Sequence, residues 1–314
     1  MTCQKKHDRS GRCVTRREFL QRTGAGSAAL AAWATVVPLV RAAEAPARPA
    51  ELAVIKGDDP AANVRAAIEA IGGMKQFVKK GDVVVVKPNI GWDRTPEQAA
   101  NTNPQVVGEL VALAFAAGAS KVKVFDNTCN NPRACYMRSG IEKAAVDAGA
   151  TVLPFDAKRC RTVPILGGEF LKEWPVFVDA LECDAYINVP VAKVHGLSKL
   201  TLGLKNVMGV IGGNRGLWHQ NINVILADFL AVLKPKLTVI DAYRMLMANG
   251  PSGGNVADVR LAKTCIATAD PVAADARAAA LFDVSVESLG FITRAARKGF
   301  GTADLSRIKV VEKG

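Results

Sequence analysis

Apolar positions fall into two alternating patterns along the chain. Residues 83–86 are four valines in a row, closed by Lys87, Pro88 and Asn89. A continuous β-branched run of that kind predicts a strand covered on both faces, as in a parallel sheet. Residues 105–117 carry apolar positions at helical spacing and stop at Gly118. Residues 121–125 then predict a second strand, with Asp126 and Asn127 at its carboxyl end. A helix over 141–148, stopped by Gly149, and an extended stretch over 151–155 follow. This rhythm predicts an α/β fold: a mostly parallel, doubly wound sheet with helices on both faces and right-handed crossovers.

The second half keeps the alternation with more interruptions. Residues 167–177 read as a turn-rich insertion, and a strand over 185–190 runs into Lys193, Val194, His195 and Gly196. The apolar stretch 201–210 is broken by Gly203, Lys205, Asn206 and Gly209. A helix over 222–233 and a strand over 237–241, ending on Asp241, come next. Residues 265–268 predict a further strand. Asp270 and Pro271 after it form an N-cap and first-turn pair for a helix reaching Phe282. An amphipathic helix over 286–298 precedes a closing strand over 308–311.

Residues 1–42 obey a different order. Lys5, Lys6, Arg9 and Arg12 open the chain, Thr15-Arg16-Arg17-Glu18-Phe19-Leu20 follows, and a weakly apolar Ala/Gly-rich run fills 25–40. That run is shorter than the roughly twenty residues a membrane span needs. Val40-Arg41-Ala42 fits a small-x-Ala cleavage site. The segment resembles the twin-arginine signal family. The resemblance implies a folded protein handed to the twin-arginine translocation machinery, a periplasmic or extracytoplasmic location, and membrane contact only during export. Residues 43–51 then read as an Ala/Pro linker, and 52–314 as the α/β domain, built as one body or as two α/β lobes.

The signal changes the reading of charge. Residues 1–42 hold eight Lys/Arg and two acids, half of the chain's net +12. The remainder is moderately basic, with no Lys/Arg block and no interleaved aromatics, which argues against nucleic acid and leaves a small anionic ligand. Cys129, Cys135, Cys160, Cys183 and Cys265 follow the signal without a Cys-x-x-Cys pair. A ferredoxin-type iron–sulfur cluster is therefore not expected, and a Cys129–Cys135 disulfide stays open.

Four polar groups directly follow predicted strands: Lys87 with Asn89, Asp126 with Asn127, Lys193 with His195, and Asp241. Ligands of open α/β sheets bind at the carboxyl ends of strands, so together these groups predict one composite site. Lys193 and His195 share a face by strand alternation and are the expected catalytic pair, with His195 as general acid or base. Lys87, Asn89, Lys205, Asn206 and Arg215 are expected to bind substrate. Asp126, Asp241 and His219 are expected to orient the base or to hold a metal, a cofactor question that the spacing leaves open. The P-loop, Gly-x-Gly-x-x-Gly and Gly-x-Ser-x-Gly patterns are absent.

Several of these motifs recur in a fixed order. Val86-Lys87-Pro88-Asn89, Asn103-Pro104, Asp126, Asn188-Val189-Pro190-x-x-Lys193-x-His195 and Lys205-Asn206-x-x-Gly209 make residues 52–311 resemble family 362 of the domains of unknown function. Members of that family are often exported by the twin-arginine route or carry a ferredoxin-like cluster domain, and no cysteine-rich segment of that kind stands in this sequence. The family is in turn distantly similar to nickel-pincer lactate racemases, which use a Lys and histidines around their cofactor. The resemblance implies Lys193 and His195 as the active positions. The expected function is acid/base chemistry, isomerase- or racemase-like, on a small anionic substrate, with metal or cofactor assistance open. The alternative is a non-catalytic periplasmic ligand-binding or cofactor-carrier protein.

Overall fold

The computed structural model describes residues 51–314. The signal expected over 1–42 and the linker as far as residue 50 lie outside them. Strand β1 (Glu51–Lys56) begins at the last residue assigned to that linker. Helix α1 (Pro60–Ala70) starts where the Asp59 carboxylate accepts from the Ala61 and Ala62 N–H groups and Pro60 takes the first helical position. Strand β2 (Val83–Pro88) is the valine run. Asn103 and Pro104 start α2 (Pro104–Ala117) in the same way, and Gly118, at φ 111°, ends it in the left-handed region that glycine tolerates.

Strand β3 (Lys121–Val124) follows, then α3 (Pro132–Arg138), α4 (Ile141–Asp147) and the short β4 (Thr151–Val152). The stretch expected to be a turn-rich insertion is half of a hairpin. Strands β5 (Cys160–Pro164) and β6 (Glu173–Phe177) pair antiparallel, so only its first residues turn. After the single turn α5 (Val178–Leu181) come β7 (Ala185–Val189), β8 (Val191–His195) and β9 (Lys199–Thr201). The short helix α6 (Gly203–Asn206) leads through irregular turns to α7 (Ile222–Phe229). Strand β10 (Leu237–Leu246) continues well beyond Asp241, and β11 (Val259–Thr268), α8 (Pro271–Ala279), α9 (Gly290–Arg297) and β12 (Lys309–Lys313) complete the chain.

Ten of these strands form one sheet in the order β12-β1-β11-β10-β7-β2-β3-β4, with β8 on β10 and β9 on β8. The run from β10 to β4 is parallel; β11 is antiparallel to both of its neighbours. The described chain is thus an α/β fold on a mostly parallel ten-stranded sheet, with β5 and β6 forming a separate two-stranded sheet. Side-chain alternation explains the four valines. Val84 and Val86 pack with Ile68, Val107 and Leu110 of α1 and α2 on one face, while Val85 joins the opposite face, where α7 to α9 supply Phe229, Val272 and Phe291. Each buried side chain of this kind contributes about 1.5–3 kcal/mol, so a strand buried on both faces holds its register firmly. Among the described residues no helix is long and apolar enough to cross a membrane.

Candidate functional site

The carboxyl ends of β2, β3 and β7 are neighbours in the sheet, and polar groups stand at or just beyond them: Lys87 and Asn89 at β2, Asp126 two residues past β3, and Asn188 at β7. Lys87, the penultimate residue of β2, is fully buried. Its Nζ pairs with Asp126 Oδ1 at 2.9 Å and donates to Pro88 O at 2.6 Å and Asn206 Oδ1 at 3.1 Å. Asp126 Oδ2 accepts from the Ile90 N–H at 2.6 Å. Burial pushes the Lys87 ammonium down and the Asp126 carboxylate pushes back. A Cβ on Gly209 would fall 1.6 Å from Asp126 Oδ1 and within 2.6 Å of Lys87 Nζ, so only glycine lets the backbone close over this pair.

Helix α6 is bolted onto this floor. Buried Asp275 of α8 accepts from the Gly203 N–H at 2.6 Å and the Leu204 N–H at 2.9 Å, satisfying the free donors of the helix start. Burial raises its carboxyl to about 7 against those two bonds. Asn188 of β7 reaches the same helix twice. Its Nδ2 donates to Gly203 O and its Oδ1 accepts from Asn206 Nδ2, both at 2.8 Å. These contacts fix Lys205 and Asn206 in space.

A cavity of ≈ 610 Å³ opens above the floor. Asn89, Asp126, Lys193, His195, Lys205, Asn206, Arg215 and His219 all line it, so eight of the ten residues singled out in the sequence come together. Asp126 is the sole carboxylate in that lining, and it is already paired with Lys87. Arg215 grips the backbone opposite, its Nη1 donating to Asn127 O at 2.6 Å and its Nη2 to Thr128 O at 2.8 Å. The cavity is therefore cationic on balance.

Four expectations change. Lys87 lies behind Asp126 and Asn206 with its three donor positions spent, and it is not in the lining; it supports the site rather than meeting substrate. Asp241 is mid-strand in β10, because that strand runs on. Its carboxylate accepts from the Asn103 and Tyr243 N–H groups at 2.7 and 3.1 Å, away from the lining, and burial raises it to about 6. His195 does not fit a general base. Its Nδ1 accepts from the Leu197 and Ser198 N–H groups at 3.0 and 3.3 Å, which fixes the proton on Nε2. Burial first, then the nearby charges of Lys205, His219 and Lys193, hold it down at about 3, so it offers a neutral N–H donor.

Lys193 is the fourth. Its Nζ donates to Ala100 O at 2.6 Å, Asn89 Oδ1 at 3.0 Å and Pro251 O at 3.1 Å, a full set for an ammonium. Burial lowers it to about 7. With every position taken, it ties β8 to two loops and lends charge from behind. Lys205 is different. Its Nζ contacts only Met208 Sδ and His219 Nε2, both at 3.3 Å, among the described residues. One tetrahedral position is left, and burial holds the group at about 8. The His219 ring stacks on His195 at 5.7 Å between centroids. Burial lowers His219 as well.

No group of three or more His, Cys, Asp or Glu side chains suited to a metal occurs among the described residues. Asp126, Asp241 and His219 do not form one, because the two carboxylates are committed to backbone N–H groups and to Lys87. Sequence reasoning missed Asp275, Trp92 and Thr201. Asp275 sits in the middle of a helix and carries no local signal of its role. Cys129 and Cys135 are both free thiols, the first exposed and the second buried.

Comparison with known proteins gives three findings. The family described as "Domain of unknown function (DUF362)" matches residues 84–280. A thylakoid-associated protein of Synechocystis sp. is 26% identical over 208 residues, which are 64% of this chain and 64% of that protein. The chain thus spans less than two thirds of that relative's length. The lactate racemase apoprotein of Thermoanaerobacterium thermosaccharolyticum shares 12% identity at a TM-score of 0.39, over 60% of this chain and 49% of that one.

Proposed function

Because the chain belongs to the DUF362 family, for which no function is defined, we propose a function from the cavity itself: it binds a small organic anion and moves a proton on it, in an isomerase- or racemase-like reaction. The observation that carries this is Lys205. It is a buried amine poised near neutral pH, with one open position, in a cavity whose single carboxylate is neutralised. As an ammonium, Lys205 donates to the substrate's anionic group; as an amine, it takes the proton from the adjacent carbon. The C–H electron pair moves into the neighbouring carbonyl or carboxylate, whose developing charge the His195 Nε2–H and Arg215 meet. Returning the proton to the same carbon or its neighbour completes the reaction. His219 Nε2 positions Lys205 and shares its proton.

The test is exchange of carbon-bound hydrogen in D2O. A panel of small hydroxy, keto and amino acids is followed by proton NMR with the purified protein. We expect exchange into at least one acid, lost by roughly a hundredfold or more in Lys205→Met. Exchange that is unchanged in Lys205→Met contradicts the assignment. The twin-arginine signal belongs to the same proposal: a mature protein outside the cytoplasm, exported as a folded chain. Replacing Arg16 and Arg17 with lysine is expected to retain it in the cytoplasm, and unaltered fractionation would count against export by this route.

A further inference from the structure

Three cations of the cavity have no acid of their own. None of the ion pairs among the described residues includes Lys193, Lys205 or Arg215. Lys193 is 1% exposed and Lys205 7%, and charges buried to that degree are normally paired. Asp126, the carboxylate of the lining, is spent on Lys87 at 2.9 Å. The partners of Lys193 are neutral: Asn89 Oδ1 and the carbonyls of Ala100 and Pro251. Those of Arg215 are neutral too, the carbonyls of Asn127, Thr128 and Met208. A neutral acceptor orients a cation without cancelling its charge. Arg215 keeps its charge at any working pH, and Lys205, at about 8, keeps most of its own at pH 7. More than one positive charge is therefore left for a ligand to neutralise.

These charges are also spread out. Lys193 stands on β8 opposite Leu246 of β10 and is tied to the loops that follow β2 and β10. Arg215 is clamped to the loop that follows β3, on the other side of β2 in the sheet. Lys205 couples to both: its charge bears on Lys193 and His195, and the charge of Arg215 bears on it. The cavity, at ≈ 610 Å³, has room for a ligand that reaches from one cation to the next. A phosphate or sulfate gathers its charge at one centre. Two carboxylates on a short chain distribute charge as these cations are distributed.

We propose that the ligand of this cavity is a dicarboxylate, one carboxylate held from the Lys205 and His195 side and the other by Arg215, with the proton-yielding carbon between them. The inference rests on the anion-binding, proton-transferring function proposed above and names its substrate class.

The experiment is calorimetry at pH 7 on the wild-type chain with malonate, malonamate and sulfate. Malonamate keeps the skeleton of malonate and replaces one carboxylate by a neutral amide. Sulfate keeps the double charge and puts it at one centre. We expect malonate to bind roughly tenfold or more tighter than either of the others. Arg215→Gln is expected to weaken malonate by a similar factor and to close most of its gap to malonamate. The comparison in the wild-type chain stands whether or not that variant folds. Malonamate binding as tightly as malonate overturns the inference and leaves the proposed function standing, because one carboxylate is then enough. Sulfate binding at or above the affinity of malonate also overturns it, since the charge is then met at a single point. An equal loss for malonate and malonamate in a folded Arg215→Gln chain removes Arg215 as the holder of the second carboxylate and overturns the inference as stated. Absence of binding by all three in the wild-type chain overturns both this inference and the function it rests on.

Discussion

The floor and the wall of the cavity treat buried positive charge in opposite ways. On the floor, Lys87 has Asp126, Pro88 O and Asn206 around it, and Asp126 has the Ile90 N–H as well. Charge is cancelled and every donor position is used. On the wall, Lys205 has a thioether and an imidazole nitrogen, no carboxylate, and an open position. Both amines are lowered by burial. The difference teaches how to tell a scaffold cation from a working one: not by burial or pKa, but by whether the protein itself completes the coordination of the nitrogen. Lys193 belongs with the floor by this measure, although it lines the cavity.

The comparison breaks most visibly at the floor. Asp126→Ala leaves Lys87 buried and unpaired, a change that costs about 3–5 kcal/mol. Urea unfolding should show that loss. A cost under about 1 kcal/mol would mean the pair is not the closed unit described here. Asp275→Ala should be next, at about 1–3 kcal/mol, because two N–H groups of α6 lose their acceptor inside the protein. Calorimetry with malonate should also weaken, since that helix carries Lys205; unaltered malonate affinity would separate the helix start from the site.

A smaller effect sharpens the contrast through pH. Lys193 sits near 7 in the folded chain and at the ordinary 10.5 once unfolded. Unfolding therefore takes up a proton between those values, and the folded state gains stability as pH rises above about 7. Below about 7 both states are protonated and the gain is absent. Lys205 adds in the same direction above about 8. The urea midpoint should rise between pH 7 and 8.5, and a fall over that window contradicts the burial of these amines. At higher pH buried thiols act the other way, Cys183 being pushed up to about 11 mainly by burial. The smallest expected signal is at His195. Its ring nitrogens, followed by 15N NMR from pH 8 to 5, should stay in the Nε2–H form without titrating. A transition near 6.5 would remove its role as a neutral donor.

The sheet and the place of the site were legible in the sequence. Valine runs and glycine stops mark parallel strands and helix ends, and polar residues right after strands mark the ligand edge. What stayed hidden was which polar groups the protein consumes internally. Lys87 and Lys193 look like substrate binders in a strand-end motif, yet their partners, Asn206 for one and Ala100 and Pro251 for the other, come from distant segments. His195 reads as a base until the backbone N–H groups of Leu197 and Ser198 turn to its Nδ1, a matter of loop conformation. Asp241 reads as a strand-end acid only if its strand stops there. Asp275, which caps the helix of Lys205 across the fold, has no signal in its neighbours at all. Lys205 itself is visible as a polar break in an apolar stretch, but its open position is a property of the packed structure.

The most direct test of the account is calorimetric titration of malonate into the wild-type chain and into Lys205→Met at pH 7. The account predicts saturable binding in the wild type, weakened by about tenfold or more in the variant, with the urea midpoint of the variant no lower than that of the wild type, because Met removes the burial penalty on the amine. Equal affinity in both proteins, or no binding to the wild type, would contradict the claim that the open position on Lys205 is where the anion is held.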